Sequence, residues 1–430
     1  MTRPALVRSL AVVGVASLAL AACSSSNTSS SPSGSASGGS TGGPLVVQTV
    51  LPATGSLAFL GPPEFAGVKL AIQQINAAGG VLGQPVSELV GDSGDASTNT
   101  ASTTVDSGLA KGATVFIGAA SSSVTRAIYK KITGAGAVQI SPANTAIDLS
   151  SINDNGLYFR TAPPDVLQGA VIGGVASKDG RKNVAVLALS DIYGDGLGKA
   201  FQDNFVADGG KIAGGKVLSY DPKASEYSAE VGQVKATNPD AILLIGFDES
   251  KKILQEMVKQ GVGPNKVPLY LVDGNLSNTI AAGLPVGIMD GTKGTTPGAQ
   301  SSATFKQQML GVDSALKDFS YGAEAYDAVN LAALAAVAGK SVAGKDIAAN
   351  LQAVSAGGEA CNSYSECLNL LNSGKDIDYQ GQSGPIDFTE VGDPSAATMG
   401  VYEFGPDNKY VPLSFISGVV PPVPSVKPTS

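Results

Sequence analysis

The chain has 430 residues, a formal net charge of −8 and no histidine. Without histidine it lacks the commonest general base and metal ligand, so catalysis and a metal centre have little to start from. The acidic balance leaves no basic patch to follow a phosphate backbone, so nucleic acid is excluded as a natural partner and no cofactor is expected.

At the start, Arg3 and Arg8 precede an apolar run from Leu10 to Leu20, which closes on Leu20-Ala21-Ala22-Cys23. The run is too short for a permanent membrane span and has the layout of a secretory signal over residues 1–22. Small residues directly before a cysteine resemble the lipobox of bacterial lipoproteins. That resemblance implies that Cys23 is acylated and holds the exported chain on the outer face of the cell membrane. Losing 1–22 removes only Arg3 and Arg8 among the charged residues and takes the net charge from −8 to −10. Ser24 to Gly43 is almost wholly Ser, Gly and Thr, with no apolar group to offset backbone ordering, so residues 23–43 read as a lipidated cysteine and flexible tether. Cys361 and Cys367 are the pair that remains. Six apart in an exported chain, they read as a disulfide clasping a small loop.

From Pro44 onward, short β-rich runs alternate with amphipathic stretches. Strands are expected at Leu45–Leu51, Val86–Val90, Thr114–Gly118, Ala137–Ser141, Leu157–Arg160, Val184–Leu189, Val217–Tyr220, Ala241–Gly246 and Pro268–Val272. Helices are expected at Glu64–Ala77, Val124–Ile132, Pro164–Ser177, Gly196–Ala207 and Ser250–Lys259. Near-continuous apolar strands separated by helices predict an α/β fold with parallel sheets covered on both faces. Gly79-Gly80, Gly209-Gly210 and Gly261 stand where helices should stop. So many strands exceed one open sheet and predict two lobes. The first would comprise 44–162 and 293–394, the second 163–292 and 395–418, with crossings near 162, 293 and 395. Ser301–Val354 reads as helix-rich, with alanine-laden Tyr321–Ala338 needing a sheet to pack on. A strand pair at Gly400–Phe404 and Tyr410–Leu413 is split by the turn Pro406-Asp407-Asn408, and 419–430 reads as a disordered tail.

Gly194-Asp195-Gly196-Leu197-Gly198-Lys199 follows a strand, where phosphate-cradling loops sit. It fails both the dinucleotide spacing, with Lys199 in place of the last glycine, and the triphosphate pattern, with Ala200 in place of Ser or Thr. No GxSxG elbow is present. The strand ends are more informative, because ligands of parallel α/β sheets sit there, near helix N-termini. Thr114–Gly118 runs into Ala119-Ala120-Ser121-Ser122-Ser123-Val124-Thr125, where hydroxyls and free backbone N–H groups can seat a carboxylate or merely cap the helix. Ala137–Ser141 ends in Ser141-Pro142-Ala143-Asn144-Thr145. Pro268–Val272 ends in Asp273-Gly274-Asn275, an acid placed for a cationic group or for an ordinary turn.

In this order, these segments resemble the leucine/isoleucine/valine-binding family of ABC importers, from Leu45 to about Leu413. The resemblance rests on Gly67-Val68-Lys69-Leu70-Ala71 through Ile75 to Gly83, on Ile117 to Ser123, on Ser141 to Thr145, and on Tyr193-Gly194-Asp195-Gly196. It implies a type I periplasmic-binding-protein-like fold, two Rossmann-like lobes joined by a three-stranded hinge, closing on an amino acid. Ser122, Thr145 and the backbone at Ala143 would hold the carboxylate. Asp273 would pair with the ammonium, and Tyr193 and Phe247 would contact the ligand from the second lobe. The implied partners are a permease with its ATPase; the protein itself would act as a monomer and not as an enzyme. Three departures stand out: Phe59-Leu60 replaces a frequent aromatic, Phe247 lacks a hydroxyl, and Asp273 is a methylene shorter than Glu. Relatives of the fold also take amides, urea and aromatic acids, and a ligand-sensing adaptor for a signalling partner would use the same lobes. A carboxylate-based hydrolase would need a second acid facing Asp273.

Overall fold

A computed structural model describes residues 42–423. The expected signal sequence, Cys23, nearly all of the tether and residues 424–430 lie outside the described residues. The β-branched run Val46–Val50 lies inside a five-stranded, wholly parallel sheet. Its order is Ser87–Leu89, Val46–Val50, Val115–Gly118, Val138–Ser141, Tyr158–Arg160. Alternate side chains leave a strand on opposite faces. Val115 and Ile117 therefore join a core built with helices Gly61–Ala77 and Gly322–Gly339, while Phe116 joins another with Thr100–Ala110 and Ser122–Gly134. With both faces covered, the strands can be apolar throughout.

The alanine-laden helix Gly322–Gly339 is buried along all but its last turn. Small side chains let it press on Gly61–Ala77 at a glycine contact: a Cβ on Gly67 would stand 2.1 Å from the Gly322 carbonyl oxygen. The predicted disulfide loop lies nearby, with Cys361 and Cys367 bonded and both buried in the same core.

The second sheet has eight strands. Its order is Tyr410–Val419, Ala396–Phe404, Lys293–Pro297, Leu269–Leu271, Ala241–Ile245, Asn183–Leu189, Lys211–Ile212, and Leu218–Tyr220 also pairs with Asn183–Leu189. Its strands are parallel up to the expected late strand pair, where Ala396–Phe404 runs antiparallel to both neighbours. The turn at Pro406-Asp407-Asn408, where Asn408 takes φ 58, folds the last two strands into a hairpin, which makes that pairing antiparallel by construction.

Three stretches join the sheets, after Arg160, after Pro297 and before Ala396. The middle crossing comes later than expected. Lys293–Pro297 pairs with Leu269–Leu271 and, over its whole length, with Met399–Glu403, so these residues belong to the second sheet. Their Gly-Thr-Thr-Pro composition reads as linker, but buried β-branched threonines serve as well in a strand. Residues 419 and 420, expected in a disordered tail, are instead paired. Val419 still pairs with Ala396, and the Val420 N–H donates to the Ser395 carbonyl at 2.9 Å.

Gly194–Lys199, expected in the loop ahead of a helix, lies inside the helix Ile192–Ala207, which starts four residues earlier than predicted. Asp191 caps it by accepting from the Tyr193 and Gly194 N–H groups at 3.0 and 2.9 Å. A Cβ on Gly194 would lie 2.1 Å from the Leu189 oxygen, so this glycine serves close helix–strand packing.

Candidate ligand-binding cleft

The strand ends of both sheets converge. Ala120, Ser121, Ser122, Ala143 and Thr145 from the first sheet face Tyr193, Phe247, Asp273 and Gly274 from the second, with Leu57, Leu60 and Tyr321 completing the lining. All six residues singled out in the sequence as candidates for binding therefore meet in one place. The void they enclose measures about 10 Å³, room for about one water, so a solute enters only when the two walls part. Leu57 and Leu60 line it and Phe59 does not, so the wall at that departure is aliphatic.

The first wall is neutral and held from behind. Ser121, not Ser122, caps the helix Ser122–Gly134, its hydroxyl accepting from the Val124 N–H at 3.4 Å. That leaves the Ser122 hydroxyl for the cleft side, where it accepts from the Ala146 N–H at 3.2 Å. Asn144 ties the two loops together. Its side-chain amide donates to the Ala119 and Ala120 carbonyls at 2.9 and 2.8 Å, and its oxygen accepts from the Tyr158 hydroxyl at 2.9 Å. Fully buried Arg160 donates to the Asn144 and Ala146 carbonyls at 3.3 and 2.9 Å, and its Nε lies 2.6 Å from the Asp393 carboxylate.

The second wall carries charge and rings. Asn275 pins its turn, donating to the Leu244 carbonyl at 3.0 Å and accepting from the Val272 N–H at 3.0 Å. That fixes Asp273, whose two oxygens accept from the Tyr193 and Tyr321 hydroxyls, each at 2.7 Å. Burial raises the Asp273 pKa, and the two tyrosine hydrogen bonds pull it back. Tyr193 and Phe247 stack at 5.5 Å with an interplanar angle of 10°. Behind the lining stands Asp165, wholly buried, with no hydrogen-bond partner on either oxygen. Burial and then the charge of Asp273 push its pKa well above the usual carboxylate range. It is the second acid that a hydrolase reading would need, yet it does not line the void.

A sequence profile of periplasmic binding proteins matches residues 45–360. The chain belongs to that family. Solved structures share its fold: the leucine-binding protein LivK of Thermotoga maritima is 20% identical with a TM-score of 0.71, covering 86% of this chain and 98% of that one. The branched-chain substrate-binding protein LivJ of Streptococcus pneumoniae, solved with isoleucine, is 21% identical with a TM-score of 0.71, covering 87% and 100%. A chemotactic signal transduction substrate-binding protein of Halobacterium salinarum is 24% identical over 365 residues, 82% of this chain and 85% of its own. The leucine-, isoleucine-, valine-, threonine- and alanine-binding protein of Pseudomonas aeruginosa is 28% identical over 245 residues, 54% of this chain and 64% of its own. The type I fold and the resemblance to the leucine/isoleucine/valine-binding proteins thus stand, and the chain is a solute-binding protein of that kind.

Within this family member, sequence reasoning missed Tyr321, Asp165 and Arg160. Tyr321, expected to open a helix, sits just before Gly322–Gly339 at φ 59, and its hydroxyl reaches Asp273 in the cleft. Arg160 closes an apolar strand, a pattern that could have marked a buried ion pair, but its partner Asp393 is 233 residues away.

Proposed function

We propose that this protein captures an aliphatic α-amino acid between its two walls and delivers it to an ABC permease with its ATPase. The observation that carries the reading is Asp273, a buried carboxylate held by two tyrosine hydroxyls opposite a wall with hydroxyls and no charge. An ammonium would satisfy Asp273, and a carboxylate would be seated by Ser122, Thr145 and the backbone at Ala143. Leu57 and Leu60 offer an aliphatic surface for the side chain. Aromatic acids fit less well, because they bring no cation to Asp273. The amino-acid reading is supported by what LivJ and the Pseudomonas aeruginosa relative are named for binding. Delivery to a signalling partner is the second reading, favoured by the chemotactic relative, and it would use the same cleft. The lipid anchor at Cys23 and the tether rest on the layout of the N-terminal sequence. They would keep a monomeric capture domain near its permease while letting it turn.

Calorimetric titration with leucine, isoleucine, valine, their amides and benzoate tests the proposal. Leucine-type amino acids are expected to bind, and Asp273→Asn should weaken them by about 30- to 100-fold, roughly 2–3 kcal/mol for a lost charge-assisted partner. Benzoate binding that tightens in Asp273→Asn, with no amino acid bound by the wild type, would replace this reading with an aromatic-acid one.

A further inference from the structure

A second cavity lies behind the hinge, between the Thr296–Ser301 crossing, the segment leading into Gly322–Gly339, and the two antiparallel strands. Its volume is about 260 Å³, many times that of the cleft. Tyr402, Tyr410 and Phe415 make an aromatic wall there, Tyr402 meeting Tyr410 edge-on at 5.2 Å and Phe415 at 6.1 Å. All three rings are only partly buried, although rings of this size normally find a core.

Glu324 lies on the opposite side, with a relative exposure of 3% and no hydrogen-bond partner on Oε1. Neighbouring Glu64 is wholly buried with both oxygens unpartnered, and among the described residues neither acid has an ion pair. Burial, with a smaller push from the charge of Asp327, raises the Glu324 pKa to about 8. A buried acid without partners costs several kcal/mol unless a cation or donor reaches it. Lysines are present at the cavity but engaged or turned outward: Lys306 lies 5.5 Å over the Phe319 ring, and Lys317 is exposed. Asp318 is also taken, accepting from the Tyr410 hydroxyl at 2.8 Å and from Ser320.

We propose that this cavity is a second small-molecule site, which takes an organic amine with its ammonium against Glu324 and its apolar body against Tyr402, Tyr410 and Phe415. Tyrosine faces attract an ammonium as well as an apolar chain, so both ends of such a molecule gain from the same wall. The two lysines at the rim favour an amine that carries a carboxylate at its far end over a diamine. The site is separate from the cleft, with Tyr321 as the side chain lining both.

The test is calorimetric titration of the purified protein with phenethylamine at a pH above 8, where Glu324 is mostly ionised. Saturable binding is expected, weakened about tenfold or more by Glu324→Gln and by Phe415→Ser, and unchanged in Phe247→Leu, which alters the cleft and not this cavity. Phe415 sits partly exposed on an edge strand, so its variant folds even where Glu324→Gln does not. Absence of saturation, loss of binding in Phe247→Leu, or unchanged binding in Phe415→Ser each overturns the second site. None of these outcomes depends on whether the cleft takes leucine.

Discussion

The two walls of the cleft differ in how they are built. The first presents hydroxyls and backbone groups, carries no charge at the lining, and is braced by a chain of buried hydrogen bonds from Asn144 to Arg160 and Asp393. The second presents one acid and two stacked rings, and that acid is reached by a tyrosine from the far side of the hinge. The difference separates two tasks. A neutral wall must be positioned accurately, since weak dipoles act only at short range, and bracing supplies that. A charged wall attracts from further away, but pays desolvation while it waits, and the two tyrosines keep that cost down.

Breaking the brace should have the largest effect. Arg160→Met leaves the Asp393 carboxylate buried with only the Ser150 hydroxyl, strips the Asn144 carbonyl of its donor, and leaves the Ala146 carbonyl with only the Leu149 N–H at 3.3 Å. Loss of one partner of a buried pair costs about 3–5 kcal/mol, so urea unfolding should show a midpoint far below that of the wild type. An unchanged midpoint would mean that the loop holds itself and that the two walls are braced alike.

The charged wall should be the one that feels pH. The Asp273 pKa is raised by burial, and an ammonium pairs with the ionised form. Affinity for an amino acid is therefore present above that raised pKa and falls as pH drops through it, by about tenfold per unit once the acid is mostly protonated. In Asp273→Asn the remaining affinity should be flat over the same range, because the first wall has nothing to titrate. A slope that persists in the variant points to Asp165 instead, the buried acid whose pKa is also raised by burial and by the charge of Asp273.

The sequence made the first wall readable and only half of the second. Local patterns reveal what sits at the end of one strand, and Ser122, Ala143, Thr145 and Asp273 are each such positions. Helix Thr100–Ala110 went unread, since its run of threonine and serine carries a weak apolar period. Tyr321 and the Arg160–Asp393 pair went unread for a different reason. Their roles exist only once segments 48 and 233 residues apart are brought together, and no periodicity reports that. The family resemblance located the second-lobe residues, but it says nothing of what holds them.

Finer contrasts come from neighbouring serines. Ser122 lines the cleft, and replacing it with alanine should weaken an amino acid by about tenfold, on the scale of a hydrogen bond to a charged group. Titration of the variant reads this directly, and unchanged affinity would reduce Ser122 to a support for Ala146.

Ser123 should matter least, because it touches the other wall and not the cleft. Its hydroxyl donates to the Asp191 carboxylate at 2.9 Å, a direct bond between the two halves, while the other oxygen of Asp191 caps Ile192–Ala207. Ser123→Ala removes that bond and leaves the cap, so the helix carrying Tyr193 stays in place and only the closed arrangement loses support. Water can replace the lost hydroxyl once the walls part, which limits the net cost to about 0.5–1 kcal/mol. Population shift converts that into an amino-acid affinity lower by about two- to fivefold, and into a larger average radius in X-ray scattering without ligand. If Ser123→Ala costs as much as Ser122→Ala while the radius stays the same, Ser123 belongs to the binding wall rather than to its closure.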